Sequence, residues 1–176
     1  MPVALRLVLG VVGSLIYAGA GAVVGAQNAG WFGLERSANG LLPALGVGSA
    51  LVVVAFAPSR FRRRVHETGA LGVTAEALIV LGCVLYVVSA IIEFAIFGTM
   101  ASGLGLVFLA VAVLRAKIVP VVDRVLIVLS AIGSMTWNTE TVSAFLLTGV
   151  GLLWVALTIR LLRDEDGAMQ VEAGLP

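Results

Sequence analysis

Residues 3–26 read VALRLVLGVVGSLIYAGAGAVVGA, and this stretch decides the fold. Apart from Arg6, every residue in it is apolar, small or only weakly polar. A helix needs roughly 20 consecutive apolar residues to cross the hydrocarbon core of a bilayer. The strict alternation of a β-barrel strand does not occur in it. The run therefore predicts a membrane-spanning α-helix.

The composition of the whole chain extends this prediction. Of its 176 residues, 60% are apolar and 12% are charged, and the mean hydropathy is +1.12. Soluble domains carry roughly 45–50% apolar and about 25% charged residues. A domain of this size could not bury such an excess in a core. We therefore expect the lipid bilayer to be its main partner, and the net charge of +1 indicates no nucleic-acid partner.

Five further apolar runs follow, so we expect an all-α integral membrane fold: a six-transmembrane-helix bundle. The predicted spans are 3–26, 40–57, 77–97, 99–114, 120–137 and 141–159. They make residues 1–163 a single transmembrane domain and residues 164–176 a cytoplasmic tail. Gly98 and Thr99 are predicted to form the turn between the third and fourth spans. The fifth span is the shortest apolar run and needs Asp123 and Arg124 to reach the membrane interface.

The distribution of basic residues predicts the orientation. Ten of the eleven lysines and arginines fall on the side that holds both termini, and Arg36 alone falls on the other side. By the positive-inside rule, both termini are cytoplasmic in a multi-pass protein of the plasma membrane. If the fifth run did not span, Arg160 and Arg163 would move outside, so the charge pattern favours six spans.

The first run has a second interpretation. A basic start, an apolar stretch and the small residues Ala18-Gly19-Ala20 also fit a cleaved signal peptide. The apolar stretch continues to Ala26, beyond the length of a signal core, which favours a retained span. The orientation of the other spans is the same in either case.

The even-numbered runs share a Gly-x-Gly motif followed by an arginine. The motifs are Gly46-Val-Gly48, Gly103-Leu-Gly105 and Gly149-Val-Gly151, and the arginines are Arg60, Arg115 and Arg160. This internal repeat predicts three tandem helical hairpins, each of which opens and closes at the cytoplasmic face. Chance similarity among apolar helices is the alternative, because 21 of the 176 residues are glycine.

Small residues recur at steps of three and four along the first run, on one face of the helix. They are Gly10, Ser14, Ala18, Gly21 and Gly25. Such a face lets a neighbouring helix approach closely, and packing drives helix association in lipid. We expect a packing seam within the bundle, with homodimerisation through the same face as the alternative.

Four arginines, Arg60, Arg62, Arg63 and Arg64, follow the second run. They set the topology and are candidates for contact with anionic lipid head groups. His66 is the only histidine and Cys83 the only cysteine, so we expect no metal site, no cofactor and no catalytic set.

Two acidic residues are candidates for an intramembrane polar site near the outer surface. Glu93 lies in the apolar segment AIIEFAI, and Glu140 precedes the sixth run. Acidic residues inside a membrane usually face the bundle interior or water and are functional candidates. The alternative is that Glu93 reaches the outer interface or stays protonated against a neighbouring helix.

Three classes of function fit these features. The first is a non-enzymatic accessory or assembly subunit, within a larger membrane complex or a homo-oligomer. The second is a small channel or transporter with an acidic site in the outer leaflet. The third is a lipid-modifying membrane enzyme, which is disfavoured because no nucleophile–base pair is visible. The sequence favours the first class.

Overall fold

The computed structural model describes residues 1–31, 42–88, 92–136 and 142–172. These residues form seven α-helices and one short 3₁₀ turn, Val142–Ala144, with no strand among them. The helices are α1 (Val3–Asn28), α2 (Leu42–Phe56), α3 (Arg60–Glu67), α4 (Ala70–Val87), α5 (Ile92–Ala116), α6 (Val121–Thr136) and α7 (Phe145–Glu172). The all-helical prediction is confirmed for the described residues.

Four helices are long and apolar enough to cross a membrane: α1, α4, most of α5 and the apolar part of α7. A fifth span results if α2 and α3 are counted together, although the chain bends by 86° between them. Helix α2 has 15 residues and α6 has 16. The described residues thus contain four or five candidate membrane spans, compared with the six that the sequence predicts.

The long helices pack on one another in chain order. Helix α1 contacts α2, α2 contacts α4, and the series continues through α5 and α6 to α7, which returns to α1. We call this closed arrangement the helix ring. Helix α3 lies at one end of the ring, against α4 and α5.

The outer surface of the helix ring is apolar. Each of its helices exposes large apolar side chains, and those of α1 include Leu5, Val8, Val12 and Leu15, spaced three or four residues apart. Soluble monomers rarely expose contiguous apolar patches larger than a few hundred Å². The ring thus presents a surface typical of a membrane-embedded protein.

Glycines bring neighbouring helices into close contact. A Cβ added to Gly13 of α1 would lie 2.5 Å from the Gly48 oxygen of α2, and one added to Gly48 would lie 2.7 Å from the Gly13 oxygen. On the other side of α1, a Cβ at Gly21 would lie 2.6 Å from Leu147 Cβ of α7. Backbones this close leave no room for a side chain, as expected where packing holds helices together in lipid.

The boundary between the third and fourth predicted spans is different in the structure. Gly98 and Thr99 lie inside α5, since α4 ends at Val87 and α5 begins at Ile92. The physical reason is packing: a Cβ on Gly98 would lie 3.3 Å from the Gly82 oxygen of α4, and one on Gly82 would lie 2.7 Å from Ser102 Cβ. Gly98 thus serves the contact between α4 and α5 rather than a turn.

The basic segment that follows the second predicted span is the helix α3. Ser59 caps its first turn, because the Ser59 hydroxyl accepts a hydrogen bond of 3.0 Å from the Arg62 backbone N–H. One face carries Phe61 and the buried Val65, and Phe61 meets Phe56 of α2 with ring centroids 5.8 Å apart. Apolar contacts on one side and a cap at the start favour a helix here.

The predicted boundary between the domain and its tail also changes. Helix α7 continues without a break from Phe145 to Glu172, past residue 163. Glu165 is buried against α1, so at least the first part of the predicted tail belongs to the fold.

The contact between α1 and α7 makes a prediction for Gly21. We expect Gly21→Ala to lower the free energy of unfolding by about 1–3 kcal/mol, the usual cost of overpacking. Gly19→Ala is the matched control, since a Cβ there meets nothing within 4 Å. It should be neutral or raise stability by about 0.5–1 kcal/mol through helix propensity. Thermal unfolding in detergent measures the stability of both variants. Equal melting temperatures of Gly21→Ala and the parent would contradict the close packing of this face.

Candidate functional site

Most of the polar contacts between helices lie at the end of the ring where α1 begins and α7 ends, which we call the charged end. Arg6 of α1 donates to Glu165 of α7, with 2.8 Å between Arg6 Nη2 and Glu165 Oε2. Arg6 Nε also donates to the Ala55 carbonyl of α2, at 2.9 Å. The Arg6 and Glu165 side chains are only 5% and 9% exposed. This buried pair joins the beginning of the chain to its last helix.

The second oxygen of Glu165 holds α3. Glu165 Oε1 accepts hydrogen bonds from the backbone N–H of Arg60 and, at 3.3 Å, from that of Phe61. The first N–H groups of a helix have no partner within the helix, and its N-terminus favours negative charge. Glu165 supplies both an acceptor and a negative charge there, so one carboxylate links α1, α3 and α7.

A second cluster joins α3 to α4. Arg62 Nε donates to both oxygens of Glu76, at 2.8 and 3.0 Å, and His66 Nε2 is also hydrogen-bonded to Glu76. Arg62 Nη1 donates to the Ala57 carbonyl, at 3.0 Å. The hydrogen bond to Glu76 raises the pKa of the Arg62 guanidinium above its ordinary value. The cluster is partly exposed, so solvent reaches it.

A third ion pair joins α6 to α7. Arg160 Nε lies 2.5 Å from Asp123 Oδ1, and Asp123 is fully buried while the Arg160 side chain is 43% exposed. Within the described residues, Asp123 Oδ2 has no hydrogen-bond partner. The buried carboxylate therefore depends on Arg160 for its compensation.

A cavity of about 140 Å³ lies inside the helix ring. We call it the central cavity. Its walls come from α1, α2, α4, α5 and α7, and α3 lines it at the charged end. Arg62 and Glu76 line that end, and the remaining lining is mainly apolar, including Leu106, Leu109 and Trp154.

The side chains of the predicted acidic site lie outside the described residues. The backbone of Glu93 lies in the first turn of α5, not near the end of the third span as predicted. Its side chain lies outside the described part of the structure, and all of Glu140 does too. Their joint role stays a prediction.

The four predicted lipid-contact arginines all lie on α3 but differ in their surroundings. Arg62 is paired with Glu76, and the backbone of Arg60 is bound by Glu165. Arg63 and Arg64 are exposed, and Arg64 Nη1 donates to the Ile118 carbonyl at 3.3 Å.

The predicted small-residue face of α1 is buried along its length. The residues are Gly10, Ser14, Ala18, Gly21 and Gly25. Gly10, Gly21 and Gly25 face α7, where a Cβ would meet Thr158, Leu147 and Phe145 respectively. A Cβ on Gly151 of α7 would likewise lie 2.7 Å from Ala18.

Sequence reasoning missed the pair of Arg6 and Glu165. Arg6 entered only the charge count, although an arginine inside an apolar run needs a partner in the fold. That signal could have identified Arg6. No comparable signal distinguishes Glu165 from the neighbouring acids Asp164 and Asp166.

Within the described residues, no group of three or more His, Cys, Asp or Glu side chains could hold a metal ion. In comparisons with known proteins, no family model, curated protein or solved structure matches the chain. A functional inference must therefore rest on the geometry of the chain itself.

The Glu165 contacts make a stability prediction. Glu165→Ala leaves the Arg6 guanidinium buried without its partner, and breaking a buried pair costs about 3–5 kcal/mol. Asp164→Asn, one residue earlier and exposed, is the control and should change little. Arg6→Met combined with Glu165→Met should recover only part of the loss, because the start of α3 still lacks its acceptor. Thermal unfolding in detergent tests this order, and parent-like stability of Glu165→Ala would contradict it.

Proposed function

We propose that the chain is a six-span membrane protein built of three tandem hairpins that acts as a non-enzymatic accessory or assembly subunit. The proposal rests on one observation, that charged side chains of different helices form ion pairs with one another. Among the described residues, three ion pairs join different helices. They are Arg6 with Glu165, Arg160 with Asp123, and Arg62 with Glu76. Charges engaged in this way hold helices together, which suits a subunit whose task is structural.

The packing of the helices supports six crossings. Consecutive helices of the ring contact each other. At the charged end, helix starts and helix ends alternate around the ring: the start of α1, the end of α2, the starts of α4 and α6, and the last turns of α7. Such alternation is expected of antiparallel hairpins. Helices α2 and α6 are about 22 and 24 Å long at 1.5 Å per residue. Spans shorter than the roughly 30 Å core are accommodated by local thinning of the bilayer.

The glycine motifs support the hairpin repeat in part. Gly46 and Gly103 face the next hairpin, at α4 and α6, while Gly48 and Gly105 face the first helix of their own hairpin, at α1 and α4. The third motif departs from this pattern. A Cβ on Gly149 meets nothing within 4 Å, and Gly151 faces α1.

The orientation is proposed from charge and is tested by cysteine labelling in a Cys83→Ala background. We expect cysteines at Ser37 and Thr139 to react with an impermeant thiol reagent in intact cells. A cysteine at Arg63 should react only after the cells are made permeable. Arg63 is exposed, so its protection would report sidedness, whereas Ser59 is buried and would be protected in any orientation. Labelling at Arg63 in intact cells would reverse the proposed topology.

The accessory role predicts a partner. The tagged protein, purified from its native membranes through two different affinity steps in mild detergent, should retain a second protein at constant molar ratio. Liposomes that contain the chain alone should show no flux of protons or small ions.

A chain that purifies alone and conducts protons would contradict the accessory role. If that flux were lost in Glu93→Gln but kept in Glu67→Gln, an acid outside the spans, it would establish the channel or transporter instead.

A further inference from the structure

The lining of the central cavity is mainly apolar, and four of its five hydroxyl groups have hydrogen-bond partners within the protein. Ser14, Ser49 and Ser102 each donate to the carbonyl four residues earlier in their own helix, at 2.7, 2.8 and 2.8 Å. The Tyr86 hydroxyl is hydrogen-bonded to Thr99 Oγ1 at 2.8 Å. A buried water needs two to four polar partners, and these groups already have partners. The walls therefore suit a hydrocarbon occupant better than water or ions.

The shape of the cavity is that of a narrow cleft. Glu76 and Tyr86 both line it and are separated by ten positions along α4, or about 15 Å of helix. A volume of about 140 Å³ is close to the roughly 150 Å³ of an apolar cavity that binds benzene, so the cavity has room for part of an acyl chain but not for a whole lipid. The depth is about half of the roughly 30 Å hydrocarbon core, the thickness of one leaflet.

The charged end supplies the polar mouth of this cleft. Ala57, Arg62 and Glu76 line it there, Ala57 is exposed, and the side chains of Arg62 and Glu76 are 42% and 26% exposed. Helix α3 places four arginines beside the mouth against a single glutamate of its own, Glu67. A head group at this position would meet net positive charge, and each basic residue near a membrane surface contributes about 1 kcal/mol toward anionic lipid.

We propose that the central cavity binds part of one acyl chain of an anionic phospholipid, whose head group lies against Arg62 and Arg63 of α3. The apolar walls, the one-leaflet depth and the basic mouth together select such an occupant. The site is independent of the accessory role, since either could exist without the other.

Trp154 provides a direct probe because it lines the cavity. In a Trp31→Phe, Trp137→Phe background, Trp154 is the only tryptophan. Phosphatidylglycerol with brominated acyl chains, added at low molar excess to the protein in detergent, should quench its fluorescence saturably. Brominated phosphatidylcholine should do so more weakly.

Neighbouring residues supply matched variants. Val53 and Leu106 line the cavity, whereas Val54 and Leu104, on the same helices, are exposed on the outer surface. Val53→Phe and Leu106→Phe fill the cleft and should weaken saturable quenching at least about tenfold, the effect of losing two buried methylenes. Val54→Phe and Leu104→Phe should leave it unchanged. Melting temperatures verify that each variant is folded, and two filling variants keep the test open if one is unstable.

The head-group contact is tested separately. Arg62→Gln and Arg63→Gln should each reduce the preference for phosphatidylglycerol over phosphatidylcholine, while Arg163→Gln, exposed on α7, should not. Equal quenching in the filling variants and their controls would overturn the acyl-chain site. Equal binding of the two lipids by the parent would overturn the anionic head group.

Discussion

The buried carboxylate of Glu165 connects more of this structure than any other described side chain. It binds Arg6, and through Arg6 the end of α2, while its second oxygen accepts the first N–H groups of α3. Two opposite charges withdrawn from water are stable only when paired and fully hydrogen-bonded. The positions of α1, α2, α3 and α7 at the charged end therefore depend on one another.

The helices are held together in two ways, by close packing along their length and by ion pairs at the charged end. At Gly13, Gly21 and Gly82 the helices meet backbone to backbone. At the charged end, ion pairs between long side chains also join the helices. The central cavity reaches this region, with Arg62 and Glu76 at its mouth. Glycine contacts thus bring helices together, whereas one of the ion pairs borders the cavity.

The sequence predicted those features that depend on one stretch of chain. The run 3–26 corresponds to α1 (Val3–Asn28), and 40–57 encloses α2 (Leu42–Phe56), because hydropathy is a local property. It did not predict that α5 begins at Ile92 and contains Gly98, because a glycine in a turn and a glycine in a helix contact look the same in a sequence. The site at the charged end was predicted least: Arg62 meets Glu76 only because of the 86° bend before α3.

The separation of Arg6 and Glu165 along the chain has a consequence for biosynthesis. Arg6 enters the membrane with the first helix, whereas Glu165 is made near the end of the chain, 159 residues later. Throughout synthesis, the arginine has no carboxylate partner from α7 and must stay hydrated at the interface or be shielded by the insertion machinery. Arg6 can therefore form its buried pair only after α7 has been made. Closure of the helix ring waits for α7, and a chain truncated before Glu165 lacks this pair.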